Sequence, residues 1–228
     1  MNPFAKAWLG ARATVAFLRL VKNPSKLDEV FRILDSLENS NDAVMIVDGF
    51  HSNPSHAEAF AKRPRVGALN VEELMKLPKG SLGRTFAEEM VARKLDPAAI
   101  ERREDDGSPS GYVFAHLRET HDLWHTVTGF EVDVAGELGL QAFYLTQFRA
   151  MLAVLILALG LLNTFFFAPE DRDRRMDEIA RGWQMGRRAR SFFGFDWAAN
   201  MATPLEEVRA KLGIPANPAP PVVHALAA

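Results

Sequence analysis

Residues 151–168 read MLAVLILALGLLNTFFFA, an apolar run of 18 residues whose only polar side chains are Asn163 and Thr164. A run of this kind has two places to go, a bilayer or a protein core. As a helix it would be about 27 Å long, just under a typical hydrocarbon thickness. Arg149 precedes it and the charged segment 170–175 follows it. Length this close to the threshold leaves a membrane span open, and the expectation is a long central apolar helix buried inside a helical domain.

The rest of the chain is rich in helix signals. Ser25 with Asp28, Ser55 with Glu58, and Asn70 with Glu73 resemble capped starts, the first for a helix to about Leu37. An amphipathic stretch covers 82–95, and Asp96-Pro97 can open the next helix. The segment DDGSPSG at 105–111 has loop composition. A helix follows from Tyr112 to about Val127, ended by Gly129. The pattern then continues as one long helical stretch over 133–168, with Gly136, Gly139 and Gly160 as candidate bends and Pro169 as a stop. Residues 170–190 carry seven Arg and five acids, the pattern of a largely exposed helix. A last helix starts at Thr203-Pro204 and ends at Gly213. Residues 43–47 are the one plausible strand, and one strand makes no sheet. The expected fold is all-α: a multi-helix single domain over 1–215, with a flexible tail over 216–228.

Composition narrows the function. Hydrophobic residues make up 48 % of the 228 and charged residues 25 %, so a packed core is expected. A net charge of −2 gives no general reason to expect nucleic acid. The absence of cysteine excludes disulfides, thiolate zinc sites and cysteine nucleophiles. No Gly-rich phosphate loop follows a strand, which argues against nucleotide-binding folds. Near the N-terminus, Lys6, Arg12, Arg19 and Lys22 accompany an apolar face of Phe4, Trp8, Val15, Leu18 and Val21. Arg12 and Arg19 interrupt a secretory core; an ordinary first helix and a basic amphipathic helix at a membrane surface both remain.

The chemistry concentrates at HDLWHTVTGFEVDVAGE, residues 121–137. His121 and His125 are four apart, so a helix puts both imidazoles on one face, a turn from each other. Asp122 is turned about 100° away and could bind the same ion or orient a water on it. Gly129 breaks the helix, and antiparallel packing of the next would bring Glu137 opposite the histidines. A pair of histidines at this spacing is often incidental. Here the face carrying them coincides with the apolar stripe of Val113, Leu117, Trp124 and Val127, and Glu137, Gln141, Tyr144 and Phe148 line the facing helix. Polar groups buried unpaired are costly, and a divalent metal would resolve that cost. Imidazoles with carboxylates suit zinc, iron, manganese or cobalt and are too nitrogen-rich for calcium. The motif is near that of zincin proteases, but Asp replaces their Glu and no third His follows.

These residues resemble the Coq-four family of ubiquinone (coenzyme Q) biosynthesis proteins, in its bacterial form. The likeness rests on His-Asp-x-x-His, eleven residues, then Glu. It extends to Arg63-Pro64-Arg65, LPKGSLGR at 77–84, Gly136-Glu137, and the C-terminal pattern from Pro204-Leu205 through Arg209 to Leu212-Gly213-Ile214. Phe86 stands where the family often has Tyr. The resemblance implies a divalent metal, most often zinc, held by His121, Asp122, His125 and Glu137, with Asp122 and Glu137 also carrying catalysis. It implies a polyprenylated aromatic substrate, partners among the other ubiquinone biosynthesis proteins, and peripheral association with the inner face of the bacterial cytoplasmic membrane. A homo-oligomer is compatible with it. The activity it implies is metal-dependent decarboxylation at ring carbon 1 of a 4-hydroxybenzoate-derived precursor, with hydroxylation at the same carbon. A non-catalytic lipid-binding scaffold that organises the pathway's enzymes is the alternative, and a metallohydrolase a weaker third. It assigns no residue to substrate binding.

Other residues read more plainly. His51 and His56 lie in a polar segment and are expected as surface loop histidines; His116 is expected to be a core histidine or a support for the ligands. Arg84 reads as part of a helix start. Trp183, Phe192, Phe193, Phe195 and Trp197 form an aromatic cluster, more consistent with core than with a membrane anchor.

Overall fold

The computed structural model of the chain describes residues 50, 54–96, 104–148, 151–216 and 218. Among these are eight α-helices and no strand: α1 Ala57–Lys62, α2 Val71–Leu74, α3 Leu82–Arg93, α4 Pro109–Thr128, α5 Val134–Gln147, α6 Met151–Phe167, α7 Arg172–Gly186 and α8 Leu205–Leu212. The expected N-terminal helices, the candidate strand at 43–47, the helix start at Pro97 and nearly all of the tail lie outside the described residues.

Side-chain caps set the starts that matter. Asn70 accepts from the amides of Glu72 and Glu73, Ser81 from Arg84, Ser108 from Gly111, and Asp133 from Gly136. The α4 start lies inside the expected loop because Ser108 caps it and Pro109 takes the first helical position, where its missing N–H costs nothing. The expected start at Ser55 is replaced by a 3₁₀ turn, Pro54–His56, and α1 begins without a side-chain cap.

Helix α4 runs through the centre. Leu123, Trp124 and Val127 meet Leu82, Phe86 and Met90 of α3, Leu140 and Phe143 of α5, and Phe192, Trp197, Val208 and Leu212 from the C-terminal part. A smaller cluster joins Phe50, Ala59, Tyr112, Val113 and Phe193. The aromatic segment 192–197 is therefore core, although Trp183 stands apart on the surface.

Three expectations need correction. The stretch 133–168 is not one helix: α5 ends at Gln147, and the extended backbone of Phe148 (φ −160°, ψ 166°) turns its ring onto Phe50, Trp124 and Tyr144. The three glycines lie inside helices, Gly136 and Gly139 in α5 and Gly160 in α6. Gly139 and Gly182 instead let α5 and α7 cross backbone to backbone, since a Cβ on Gly182 would overlap the Gly139 carbonyl.

The charged helix α7 is accordingly not a solvated rod. It lies along α5, with Arg175, Glu178, Gly182, Met185 and Gly186 buried.

The apolar run is neither central nor fully buried. Helix α6 also packs on α5, burying Ala153, Ile156, Leu159, Asn163 and Thr164. Its outer face, including Val154, Leu161, Leu162 and Phe165–Phe167, is exposed, with Phe165 at 74 %. The two polar residues are spent on Arg175, whose Nη1 donates to Asn163 Oδ1 at 2.7 Å and Thr164 Oγ1 at 2.9 Å. No helix among the described residues is long and apolar enough to cross a membrane.

Candidate metal centre

The centre is built where α4 ends and α5 begins. Gly129 follows α4 in the left-handed conformation (φ 68°), which a side chain would strain and where a Cβ would press on Pro218. That turn reverses the chain so that the carbonyl of Phe130 points back at His125, whose Nδ1 lies 3.0 Å from it. A carbonyl only accepts, so Nδ1 carries the proton and Nε2 faces inward. Asp133 then caps α5 and puts Glu137 in its first turn, where the helix dipole favours a carboxylate.

Two arginines hold the end of α4. Arg181 of α7 donates to the carbonyls of Thr128, Gly129 and Pro218 and stacks on the Phe130 ring at 3.8 Å. Arg209 of α8 donates to those of Val127 (2.9 Å) and Thr126 (3.1 Å). Carbonyls that a helix end leaves without amide partners thus receive cations, which also suits the negative end of the dipole.

His121, His125 and Glu137 converge: one ligand atom from each lies within 4.8 Å of the others, and all three residues are buried. Glu137 Oε1 is 3.1 Å from His125 Nε2, and Glu137 Oε2 is 3.8 Å from His121 Nε2. The contacts are close but misaligned, and His121 Nε2, His125 Nε2 and Glu137 Oε2 are buried with no hydrogen-bond partner. His121 Nδ1 meets the Tyr144 hydroxyl at 3.2 Å. Both rings are thus held from behind, with their second nitrogens turned to the carboxylate.

The buried imidazoles and carboxylate set one another's charge. Burial pushes the Glu137 carboxyl up, but the neighbouring His125 and His121 outweigh it and hold it well below the usual carboxylate range. Burial likewise lowers His125, and the Glu137 charge reverses the sign and raises it. A divalent cation would supply a counter-charge to the buried carboxylate. With one, the two Nε2 lone pairs and the carboxylate are the donor set that zinc and neighbouring divalent ions take. Burial, then the charges of Glu137 and Asp122, raise the Tyr144 hydroxyl well above its ordinary value, so it stays neutral, and its oxygen can accept from His121 Nδ1–H, which leaves the His121 Nε2 lone pair facing inward.

Asp122 stands outside the converging triad. It is half-buried, one residue along α4, near enough for its charge to act on His125 and Tyr144. His116 is a core histidine: Nδ1 lies 3.1 Å from the Pro64 carbonyl and Nε2 accepts from the Gly194 amide. His56, expected on the surface, is buried between Phe50 and Phe193, because those rings close over an otherwise polar segment. The Arg63-Pro64-Arg65 segment ties down α4 and the loop before it: Arg63 pairs with Asp105 and donates to the Ser108 carbonyl, and Arg65 pairs with Glu119 on the helix. Arg84 pairs with Glu88 within α3. Sequence reasoning missed Arg181 and the Phe130 carbonyl, which carry no local signal, and it had Arg209 only as part of the C-terminal pattern, without its contact to α4. Tyr144, named from the sequence on the same face as Glu137, meets His121 there.

The profile of the family described as "Coenzyme Q (ubiquinone) biosynthesis protein Coq4" matches residues 12–218. The chain belongs to the Coq4 family. It is 28 % identical to the ubiquinone biosynthesis protein COQ4, mitochondrial, of Paracoccidioides brasiliensis, over 92 % of this chain and 73 % of that one. It is also 28 % identical to the COQ4 homolog of Rattus norvegicus, over 99 % and 83 %. A crystal structure from Nostoc punctiforme, of a protein provisionally tied to ubiquinone biosynthesis, superposes with a TM-score of 0.76 at 28 % identity, covering 90 % of this chain and 97 % of that one. Coq4 proteins take part in ubiquinone biosynthesis, and the helical fold described above is that of the Nostoc relative.

Proposed function

We propose that this Coq4 protein is a metal-dependent decarboxylase acting at ring carbon 1 of a polyprenylated 4-hydroxybenzoate-derived acid. The observation that carries the reading is the convergence of two buried imidazole nitrogens and a carboxylate oxygen, none of which has a hydrogen-bond partner. A purely structural core has no use for that arrangement, since each such group costs about 1–3 kcal/mol.

His121, His125 and Glu137 would hold the ion, with zinc the first candidate and iron, cobalt or manganese the others. When bound, it supplies a Lewis acid for the substrate carboxylate or ring hydroxyl. Tyr144 and the Phe130 carbonyl keep the two imidazoles oriented and fix which nitrogen faces inward. Breaking the bond between the ring and its carboxyl releases carbon dioxide and leaves an electron pair on the ring carbon. Asp122 either joins the ligands or holds the proton that this carbon takes up. If a hydroxyl replaces the carboxyl instead, the carbon loses two electrons with oxygen added, and an external oxidant of the dioxygen class takes them up. Zinc itself has no redox chemistry.

The test is carbon dioxide release from a short-chain prenylated substrate by purified protein loaded with one metal at a time. Glu137→Ala should lose both metal and product. Asp122→Asn should keep the metal and lose product if Asp122 is the acid, and lose both if it is a ligand. Equal turnover with zinc and iron would exclude a redox role for the ion. No product from wild-type protein with any of the four metals would overturn the reading.

A second reading, a lipid-binding scaffold for the other biosynthetic enzymes, draws support from the exposed apolar face of α6. That face also suits peripheral contact with the inner surface of the cytoplasmic membrane. Phe165→Ser with Phe166→Ser should lower co-sedimentation with phospholipid vesicles several-fold without loss of metal. Unchanged sedimentation would remove this surface from the reading.

A further inference from the structure

Helix α5 turns three polar side chains to one side: Glu137, Gln141 and Tyr144, at helical spacings of four and three. Two have defined tasks in the centre: Glu137 faces both histidines, and Tyr144 meets His121. Gln141 has none. Its side chain is only 7 % exposed, no described residue bonds its amide, and the amide is not among the polar groups sealed from solvent, so it can meet an entering molecule. Its neighbour Gln147, equally buried, shows the ordinary solution: its carbonyl accepts from Phe192 N at 3.0 Å and its amide donates to the Gly186 carbonyl.

Position decides what Gln141 can be for. On the helical wheel it lies about 40° from Glu137, on the side turned away from Tyr144. Leu138, which packs against Gly160 of α6, lies a further 60° round in the same direction. Gln141 therefore stands between the metal triad and the apolar helix. A primary amide is both a donor and an acceptor. A phenolic oxygen, which also does both, is its complement.

We propose that Gln141 is the positioning residue that hydrogen-bonds a ring oxygen of the substrate, orienting the ring between the metal triad and α6. This rests on the reading of the site as one for a prenylated hydroxybenzoate. It goes further in assigning the recognition of the ring hydroxyl to a single side chain. A site built to bond a hydroxyl discriminates against the analogue lacking it, because the buried amide is then left unpaired.

The experiment measures binding, so it does not depend on turnover. Zinc-loaded protein is titrated calorimetrically with 4-hydroxybenzoate bearing a short prenyl chain at carbon 3, and with the same acid lacking the 4-hydroxyl. Wild-type protein should prefer the hydroxylated acid by about tenfold or more. Gln141→Met, close in shape, should bind both acids alike, with an unchanged zinc content and a melting temperature no lower than wild type. Equal binding of the two acids by wild-type protein overturns the assignment to Gln141 and leaves the decarboxylase reading standing; this arm needs no variant to fold. A preference that survives in Gln141→Met also overturns it. Failure of wild-type protein to bind either acid overturns both.

Discussion

His116 and His125 lie on the same helix, both out of solvent, and use their ring nitrogens differently. His116 spends both on backbone, the Pro64 carbonyl on one side and the Gly194 amide on the other. His125 spends one on the Phe130 carbonyl and turns the other to a buried carboxylate. Burial alone therefore does not mark a functional histidine. The mark is a nitrogen that the fold orients and then leaves uncommitted.

The comparison can be broken most severely at the uncommitted ring. His125→Ala should reduce zinc from one per chain to near none, measured by elemental analysis after dialysis, while the helical signal persists. Retention of stoichiometric zinc would make His125 no different in kind from His116.

His116→Ala should do the opposite, leaving zinc in place and lowering stability by about 3 kcal/mol at neutral pH, through a cavity and two backbone groups left unpaired. That cost has a pH dependence of known sign. Burial pushes His116 down to about 4, the hydrogen bonds to backbone only partly opposing it. A folded-state value below the unfolded one of about 6.5 means the neutral ring stabilises the fold fully above pH 6.5 and loses that contribution as pH falls through 4. The stability gap between wild type and variant should narrow by about 3 kcal/mol between pH 7 and pH 4, in denaturant titrations. A gap independent of pH would mean that the folded protein accommodates a charged His116.

The smallest change sharpens the comparison from behind. Tyr144→Phe removes only the hydroxyl that meets His121 and should weaken zinc binding about 10- to 100-fold by competition with a chelator. No change would show that His121 is held by packing alone.

Much of this was legible in the residues. The caps at Asn70 and Asp133, the Gly129 and Gly213 stops and the all-helical character follow from local chemistry that acts within a turn or two. The convergence of His121, His125 and Glu137 was also within reach, because one glycine turn joins the two helices that carry them. What stayed hidden depends on distant partners. The break at Phe148 has no proline or glycine to announce it; it exists because Phe50, Trp124 and Tyr144 receive the ring. The burial of α7 was masked by its arginines, while the relevant signal was the absence of side chains at Gly139, Gly182 and Gly186. Asp122 shows the limit of spacing arguments, since adjacency in sequence to a ligand leaves its own direction open.

The two arginines that close the end of α4 have a consequence for how the protein is made. Arg181 and Arg209 come from the last quarter of the chain, yet they hold carbonyls beside the histidine motif, more than fifty residues earlier. On the ribosome, His121, His125 and Glu137 emerge long before the groups that lock their scaffold. The helix that carries the histidines is complete early, but its finished geometry waits for Arg209 to clear the exit tunnel. A message truncated before that codon would yield a protein with His121, His125 and Glu137 all present and no Arg209 to hold the helix end beside them.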